Sequence, residues 1–525
     1  VTATEYAQHE HHEFLAASAA AMADADLQGA LSQLGETLAA RNREAFAALA
    51  ESSQLRDRAR AIKDAALTNL AEHIETLEAS VVRNGGHVHF ADDAEAAKRI
   101  ILDLLEARGA RRVVKSKSMT NEEIHLNAAL IERQIDVVET DFGEYIIQVA
   151  GHRPSHLVAP AIHLRTPQVA DLLSRDAGRE LPADAEQLAA YARERLRAEF
   201  ARADAGITGG NFAIAETGTI VLVSNEGNIR LTTALPRLQI AVVGIEKIIP
   251  RLADLPVFLK VLARAATGQK LSIYTSLISG PRRPGELDGA EEFHLVLLDN
   301  GRSRILASPL RESLFCIRCG ACLNVCPIFR NVGGHAYGGV YSGPIGAVLT
   351  PLYDGLAANH HLPHASSLCG ACQAACPVKI AIPEMLIQLR DRLHAEPGEL
   401  GRGESLAYRV WSHAMRHPHL YRLATWLATR TARLVPQARS GWLARLPGPL
   451  SGWTRDRDFP SPARRRFRDW WEEDGPGNSP SAQSPSQGRR IPVWLFALRI
   501  VWVVVQLLFV YWLGESGALF FYQGF

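Results

Sequence analysis

Cysteine is missing from almost the whole chain. None of its seven copies occurs before Cys316 or after Cys376. A disulfide framework spreads an even number of cysteines through a small fold, so it is excluded here, and seven thiols crowded into one stretch point to a metal centre in a reducing compartment. A surplus of either charge is also lacking. Lys and Arg number 57 against 56 Asp and Glu, a formal charge of +1, and without a basic field a nucleic-acid partner has no footing. No Gly-x-Gly-x-x-Gly element opens a helix, so no dinucleotide site is read. From Val1 onward there is no basic stretch leading into an apolar one, and no export signal is expected. What is there can fold: 525 residues, 47% hydrophobic and 22% charged, are enough for about three domains with buried cores.

Residues 1–84 read as a helical N-terminal region, since Asn42 to Ser80 contains neither Pro nor Gly and Ile62, Ala65, Ala66, Leu70 and Ile74 recur at helical spacing. His9, His11 and His12 are read as part of a polar tail. Over 85–305, short β-branched runs at Gly86–Phe90, Arg112–Val114, Ile135–Val138, Leu157–Pro160, Thr219–Val223, Leu238–Val243 and Phe293–Leu298 alternate with Ala- and Glu-rich stretches, predicting an α/β domain with a mostly parallel sheet. Asn225 to Asn228 should turn a hairpin between Ile220–Ser224 and Ile229–Thr232. The cysteines fall in 306–395, a helical ferredoxin region, and 396–474 reads as further helices. The Pro-, Ser- and Gly-rich 475–490 reads as a linker. The apolar 491–513 is long enough for a transmembrane helix, which with Arg489 and Arg490 places the chain on the cytoplasmic face, single-pass anchored; Arg499 and Gln506 count against it, and a helix docked on a partner is the alternative.

Cys316, Cys319, Cys322 and Cys326 followed by Pro327 give Cys-x2-Cys-x2-Cys-x3-Cys-Pro, and Cys369, Cys372 and Cys376 followed by Pro377 give a shorter copy. Iron–sulfur clusters need thiolates converging from several directions, and two-residue gaps let one tight loop deliver three. The fourth Cys of such a run serves the other cluster in two-cluster proteins. That wiring assigns Cys316, Cys319, Cys322 and Cys376 to cluster one, and Cys326, Cys369 and Cys372 to cluster two. Ser366 stands where the second motif would carry its first Cys. Cluster two is then either a three-iron [3Fe-4S] form or a four-iron form completed by oxygen, nitrogen or a partner's ligand. A pair of zinc knuckles is the alternative, although zinc sites usually come as separate Cys-x2-4-Cys pairs. His335, Tyr337 and Tyr341, in the Gly-rich segment between the motifs, either tune a cluster or simply pack.

Two loops of the α/β domain could hold a ligand. Lys115, Ser116, Lys117 and Ser118 follow a strand, and Thr120-x-x-Glu123 reads as a capping box, so backbone donors and two lysines could take an anion. Gly209 and Gly210, with Glu216 further on, would allow close backbone approach. An ordinary polar loop explains either stretch as well.

The order Gly85-Gly-His-Val-His-Phe90, Val114-Lys-Ser-Lys-Ser-Met119, Val138-Glu-Thr-Asp-Phe-Gly-Glu-Tyr145, Gly206-Ile-Thr-Gly-Gly-Asn211 and Cys316-Ile-Arg-Cys-Gly-Ala-Cys-Leu-Asn-Val-Cys-Pro327 resembles the iron–sulfur subunit of the three-component lactate utilization system, the LutB family. The resemblance runs from about residue 30 to Trp471. It implies a LUD α/β domain, related to sugar-phosphate isomerase and CoA-transferase folds, joined to an all-α ferredoxin with two [4Fe-4S] clusters. It also implies a part in oxidising L-lactate to pyruvate with a cysteine-rich-domain subunit and a second LUD protein, electrons passing to an acceptor such as quinone. The alternative is a LUD-domain enzyme acting on a phosphorylated or CoA-linked small molecule, with clusters that only sense or staple. Family members end near Trp471, so the segments beyond rest on composition alone.

Overall fold

The computed structural model describes residues 14–155, 160–395, 402–432, 441–446, 451, 454, 457–461, 463 and 465–475. The chain divides into two compact units, 1–400 and 401–525. Among the described residues of the first, ten strands follow one another: β1 (His87–Ala91), β2 (Arg112–Lys115), β3 (Asp136–Glu139), β4 (Ala205–Thr208), β5 (Phe212–Ile214), β6 (Thr219–Ser224), β7 (Leu238–Gly244), β8 (Ile248–Ile249), β9 (Tyr274–Ile278) and β10 (Glu292–Leu298). Six form a parallel sheet in the order β1-β10-β7-β4-β2-β3. The other four form a smaller sheet, β8-β5-β6-β9, in which β6 runs antiparallel to both neighbours.

The two-residue period of a strand sorts its side chains between two faces. Along β7, Ile240 and Val242 enter one core with Ile101, Leu105 and Leu130, while Ala241 and Val243 enter another with Phe212 and Phe258. Val296 and Leu298 of β10 divide from Leu295 and Leu297 in the same way. A sheet buried on both faces reads as continuous apolar runs, which is why β7 and β10 are legible. The second of these cores continues without a break into the ferredoxin region, through Leu314, Phe315, Leu323, Tyr337 and Val348.

The N-terminal helices are Phe14–Ala23, Ala25–Ala47, Ser52–Thr68 and Leu70–Arg83. Asp24 starts the second by accepting hydrogen bonds from the Asp26 and Leu27 amides. Ser52–Thr68 lies against both parts of the first unit. Lys63 Nζ donates to the carbonyl of Glu246 in the α/β domain. Arg56 donates to the carbonyls of Ala374 and Cys376, and Arg60 pairs with Glu312 at 2.6 Å. The second unit, among the described residues, holds helices Arg402–Arg416, Pro418–Ala432 and Phe467–Asp474 and a two-stranded ladder of Trp442–Leu443 with Phe459–Pro460.

Several expectations change. Ile229–Thr232 is not a returning strand: it lies in the helix Asn228–Ala234. The five-residue helix Met119–Glu123 is capped by Ser118, whose hydroxyl accepts from the Asn121 amide, and not by a Thr120–Glu123 box. The cytoplasmic-face, single-pass attachment does not stand. Among the described residues no helix is long and apolar enough to cross a membrane. The long ones, Ala25–Ala47 and Ala185–Arg202, carry charges such as Arg41, Glu44, Arg193 and Glu194 along their length, each costing about 2.5–3.5 kcal/mol near a bilayer's centre. His9, His11, His12, most of Leu157–Pro160, the linker after Gly475 and the stretch 491–513 lie outside the described residues.

Candidate metal centre and ligand cavity

None of the seven cysteines is in a disulfide. Cys319-Gly320-Ala321-Cys322 and Cys369-Gly370-Ala371-Cys372 form loops of the same shape. The residue before each first Cys is left-handed, Arg318 at φ 58° and Leu368 at φ 55°, and so are Gly320 at 77° and Gly370 at 81°. These reversals bend the chain tightly between the two cysteines of each pair, and the short helices Ala321–Asn324 and Ala371–Ala375 hold the second of each, Cys322 and Cys372.

The thiols fall into two groups. Cys316, Cys319, Cys322 and Cys376 ring one cavity whose other walls include Ile317, Ile345, Val378, Ile380 and Ile382. Cys326, Cys369 and Cys372 make up the other group, near enough that charge on one thiol raises the pKa of its neighbours. Burial pushes the Cys376 thiol up to about 11, and burial with neighbouring Cys376 and Cys316 raises Cys319 further. Thiolates so placed need positive charge among them, which iron held by these cysteines would supply. Among the described residues no three His, Cys, Asp or Glu side chains converge on a point that one metal ion could occupy. The four thiols surround a space instead, and soft sulfur donors around an apolar hollow suit an iron–sulfur cluster.

The predicted ligand loops separate. Lys115 ends β2 fully buried, its Nζ 2.8 Å from Glu139 and 3.1 Å from Glu122. Burial alone would lower its pKa, but these carboxylates raise it, so it is a paired structural cation. Glu216 is exposed and accepts from the Leu252 amide at 2.8 Å, away from the other loop residues. Lys117, Gly209 and Gly210 do meet, lining a cavity at the C-terminal ends of the parallel strands with Ser118, Asn211, Asp141 and Glu226. The glycines there serve packing: a Cβ at Gly209 would come 2.5 Å from Ser118 Oγ, and one at Gly210 2.8 Å from Val243.

Sequence reasoning missed the two cations on the inner wall of this cavity, Lys247 and Arg318. Burial lowers the Lys247 pKa to about 8. Arg318 lies between Cys316 and Cys319, stacks 4.3 Å above the Tyr341 ring, and reaches Glu246 at 3.4 Å, leaving its buried Nη1 without a hydrogen-bond partner. The cavity therefore abuts the four-thiol group through one side chain. The signal that could have found Lys247 is its place just after β7, since ligands of open α/β sheets gather at the carboxyl ends of strands.

Behind this wall is a buried ionic network. Arg302 pairs with Glu123 at 2.8 Å and with Glu246, and Tyr341 donates to Glu123 at 2.5 Å. Burial would raise the Glu246 pKa, but Arg302 and Arg318 outweigh it and hold the carboxyl at about 2. Tyr341 thus packs and pairs within the network, while Tyr337 packs against Phe14 and Phe329 and His335 bonds the Arg153 carbonyl at 2.9 Å.

Three family descriptions match the chain: LUD domain over residues 74–298, 4Fe-4S dicluster domain over 312–380, and Lactate utilisation protein B, C-terminal, over 393–476. The chain is 46% identical to Lactate utilization protein B of Bacillus licheniformis, over 85% of its own length and 94% of the relative's. It is 47% identical to the Geobacillus kaustophilus protein of that name, covering 81% and 89%, and 44% identical to that of Bacillus subtilis, covering 85% and 93%.

Proposed function

Because this chain belongs to the lactate utilization protein B family, we propose that it is the iron–sulfur electron-transfer subunit of a complex that oxidises L-lactate to pyruvate. Lactate gives up two electrons and two protons in that reaction, and bound clusters supply one-electron transfer. The chain's own part is to hold them apart, exclude water and tune them. We assign Cys316, Cys319, Cys322 and Cys376 to one [4Fe-4S] cluster and Cys326, Cys369 and Cys372 to the second, within 306–395. The observation that carries this reading is the division of seven thiols into a ring of four and a group of three. A cysteine-rich-domain subunit and a second LUD protein would complete the complex, with an acceptor such as quinone beyond it. Low-temperature EPR on the anaerobic complex, before and after L-lactate, tests the assignment. Cluster signals should appear within turnover time. Clusters that stay oxidised with lactate yet reduce with dithionite would overturn it.

One observation favours a second role for the α/β domain, the cavity lined by three cations, Lys117, Lys247 and Arg318. Such a site suits a small anion, the substrate itself or a phosphorylated or CoA-linked molecule. Lys247→Gln should weaken anion binding about tenfold, the usual worth of one charge-assisted hydrogen bond, with cluster spectra unchanged. Calorimetric titration with pyruvate and with inorganic phosphate distinguishes the two ligand classes, and equal affinity in the variant rules the site out.

A further inference from the structure

The two cysteine loops correspond residue for residue at a constant offset in sequence, and the correspondence extends to a position that holds no cysteine. Arg318 matches Leu368 and Gly320 matches Gly370 in their left-handed conformations. The Asn324 amide donates to the Gly320 carbonyl at 3.4 Å, and the Ala374 amide to Gly370 at 3.0 Å. The Cys326 amide donates to Leu323 at 3.1 Å, and the Cys376 amide to Gln373 at 3.2 Å. In the first loop the Arg318 amide donates to Cys316 Sγ at 3.4 Å. In the second, the Leu368 amide donates to Ser366 Oγ at 3.1 Å. The serine oxygen therefore takes the place of a ligand sulfur and receives the same backbone hydrogen bond.

We propose that Ser366 Oγ is the fourth protein ligand of the second cluster, completing the set Cys326, Cys369 and Cys372. This rests on the two-cluster reading above and adds a ligand to it. On binding, the serine hydroxyl gives its proton to solvent, which reaches this partly exposed residue, and its oxygen bonds one iron; no electron moves. The loop is held for the purpose from behind. Arg390, on the helix Ile382–Ala395, donates to the carbonyls of Pro363 at 2.9 Å and Ser366 at 3.3 Å, so the backbone at 366 is fixed and the side chain alone is left for the metal. The neighbouring Ser367 hydroxyl is turned to the Cys369 thiol instead. A hard oxygen donor favours ferric over ferrous iron more than a thiolate does, so the second cluster should be the harder of the two to reduce at this corner.

The full chain, reconstituted anaerobically as wild type, Ser366→Ala and Ser366→Cys, tests this without lactate or partners. Iron and sulfide analysis with Mössbauer and EPR spectra reads each cluster. Wild type should hold two four-iron clusters. Ser366→Ala should lose one iron from the second cluster and show a three-iron EPR signal when oxidised, with the first cluster unchanged as internal control. Ser366→Cys should keep four irons and reduce at a higher potential. If Ser366→Ala fails to take up clusters at all, the Ser366→Cys potential decides. A wild-type three-iron cluster, an alanine variant that keeps four irons with unaltered spectra, or a cysteine variant with the wild-type potential each overturns the proposal. None of these outcomes touches the lactate reading, which falls only if intact clusters ignore lactate in the assembled complex.

Discussion

A methyl group added at Gly370 would meet no atom within 4 Å, yet the position has φ +81°. The cost of Gly370→Ala is therefore backbone strain alone, about 1–2 kcal/mol, and it falls on the turn that aims Cys369 and Cys372. The variant should lose iron from the second cluster faster than from the first, followed as visible absorbance decaying under a chelator. His294 offers a second residue-scale test. It is wedged between His87 and His89, with Glu292 and its partner Arg108 alongside. Burial lowers its pKa to about 4, the two histidines adding to the effect and Glu292 opposing it. Below about 6.5 the unfolded chain takes up a proton at this residue that the folded chain refuses until about pH 4. Stability should thus fall as pH drops through that window, and urea midpoints should fall less steeply for His294→Gln. Single residues also mark how far sequence reading reaches. The cysteines were legible because their spacing is local. The two readings of Lys115, anion ligand or ordinary loop residue, stay open in the sequence because its neutralising partners, Glu139 and Glu122, approach only in the fold.

At the scale of elements, the segment Asn228–Ala234 shows why a strand was expected where a helix forms. Ile229, Thr232 and Thr233 are β-branched, but Thr232 and Thr233 bond their hydroxyls back to Asn228 and Ile229 within the helix. The helix then packs so tightly on β4 that a Cβ at Gly206 would lie 2.0 Å from the Thr232 carbonyl oxygen. Tertiary contact overrides propensity there, and no window of sequence shows it. The short strand β4 was missed for the related reason that only Ile207 and Thr208 favour a strand, Ala205 and Gly206 do not, and the element is defined by its neighbours β2 and β7. The ionic network between the turn after β7, the segment Arg302–Leu306 and the first cysteine loop is likewise a product of assembly. Glu246→Gln should leave Arg302 and Arg318 short of a partner in a buried setting and cost about 3–5 kcal/mol, read as a lower denaturation midpoint by circular dichroism. Glu123→Gln should do the same more weakly, since Asn300 and Tyr341 remain to bond the amide.

Across the whole molecule, the helix Ser52–Thr68 joins what sequence reading kept apart as a lead-in and two later domains. Its residues contact chain more than two hundred positions away at Glu312, Ala374 and Cys376, a reach invisible to periodicity. Arg56→Ala should remove the clamp on the Cys376 carbonyl and speed loss of the first cluster in air, while the second decays at its usual rate; stopped-flow absorbance at the two phases separates them. The contrast in exposure among the thiols has a consequence of its own. Cys316, Cys322, Cys326, Cys372 and Cys376 are buried, and Cys369 lies at the surface. Oxygen and repair machinery meet the molecule first at that point, so damage in a cell should accumulate in a fixed order, beginning at the Cys369 corner. A chain damaged only at this corner would keep its buried thiols and the core packed around them, so the outer site could be lost while the fold stands.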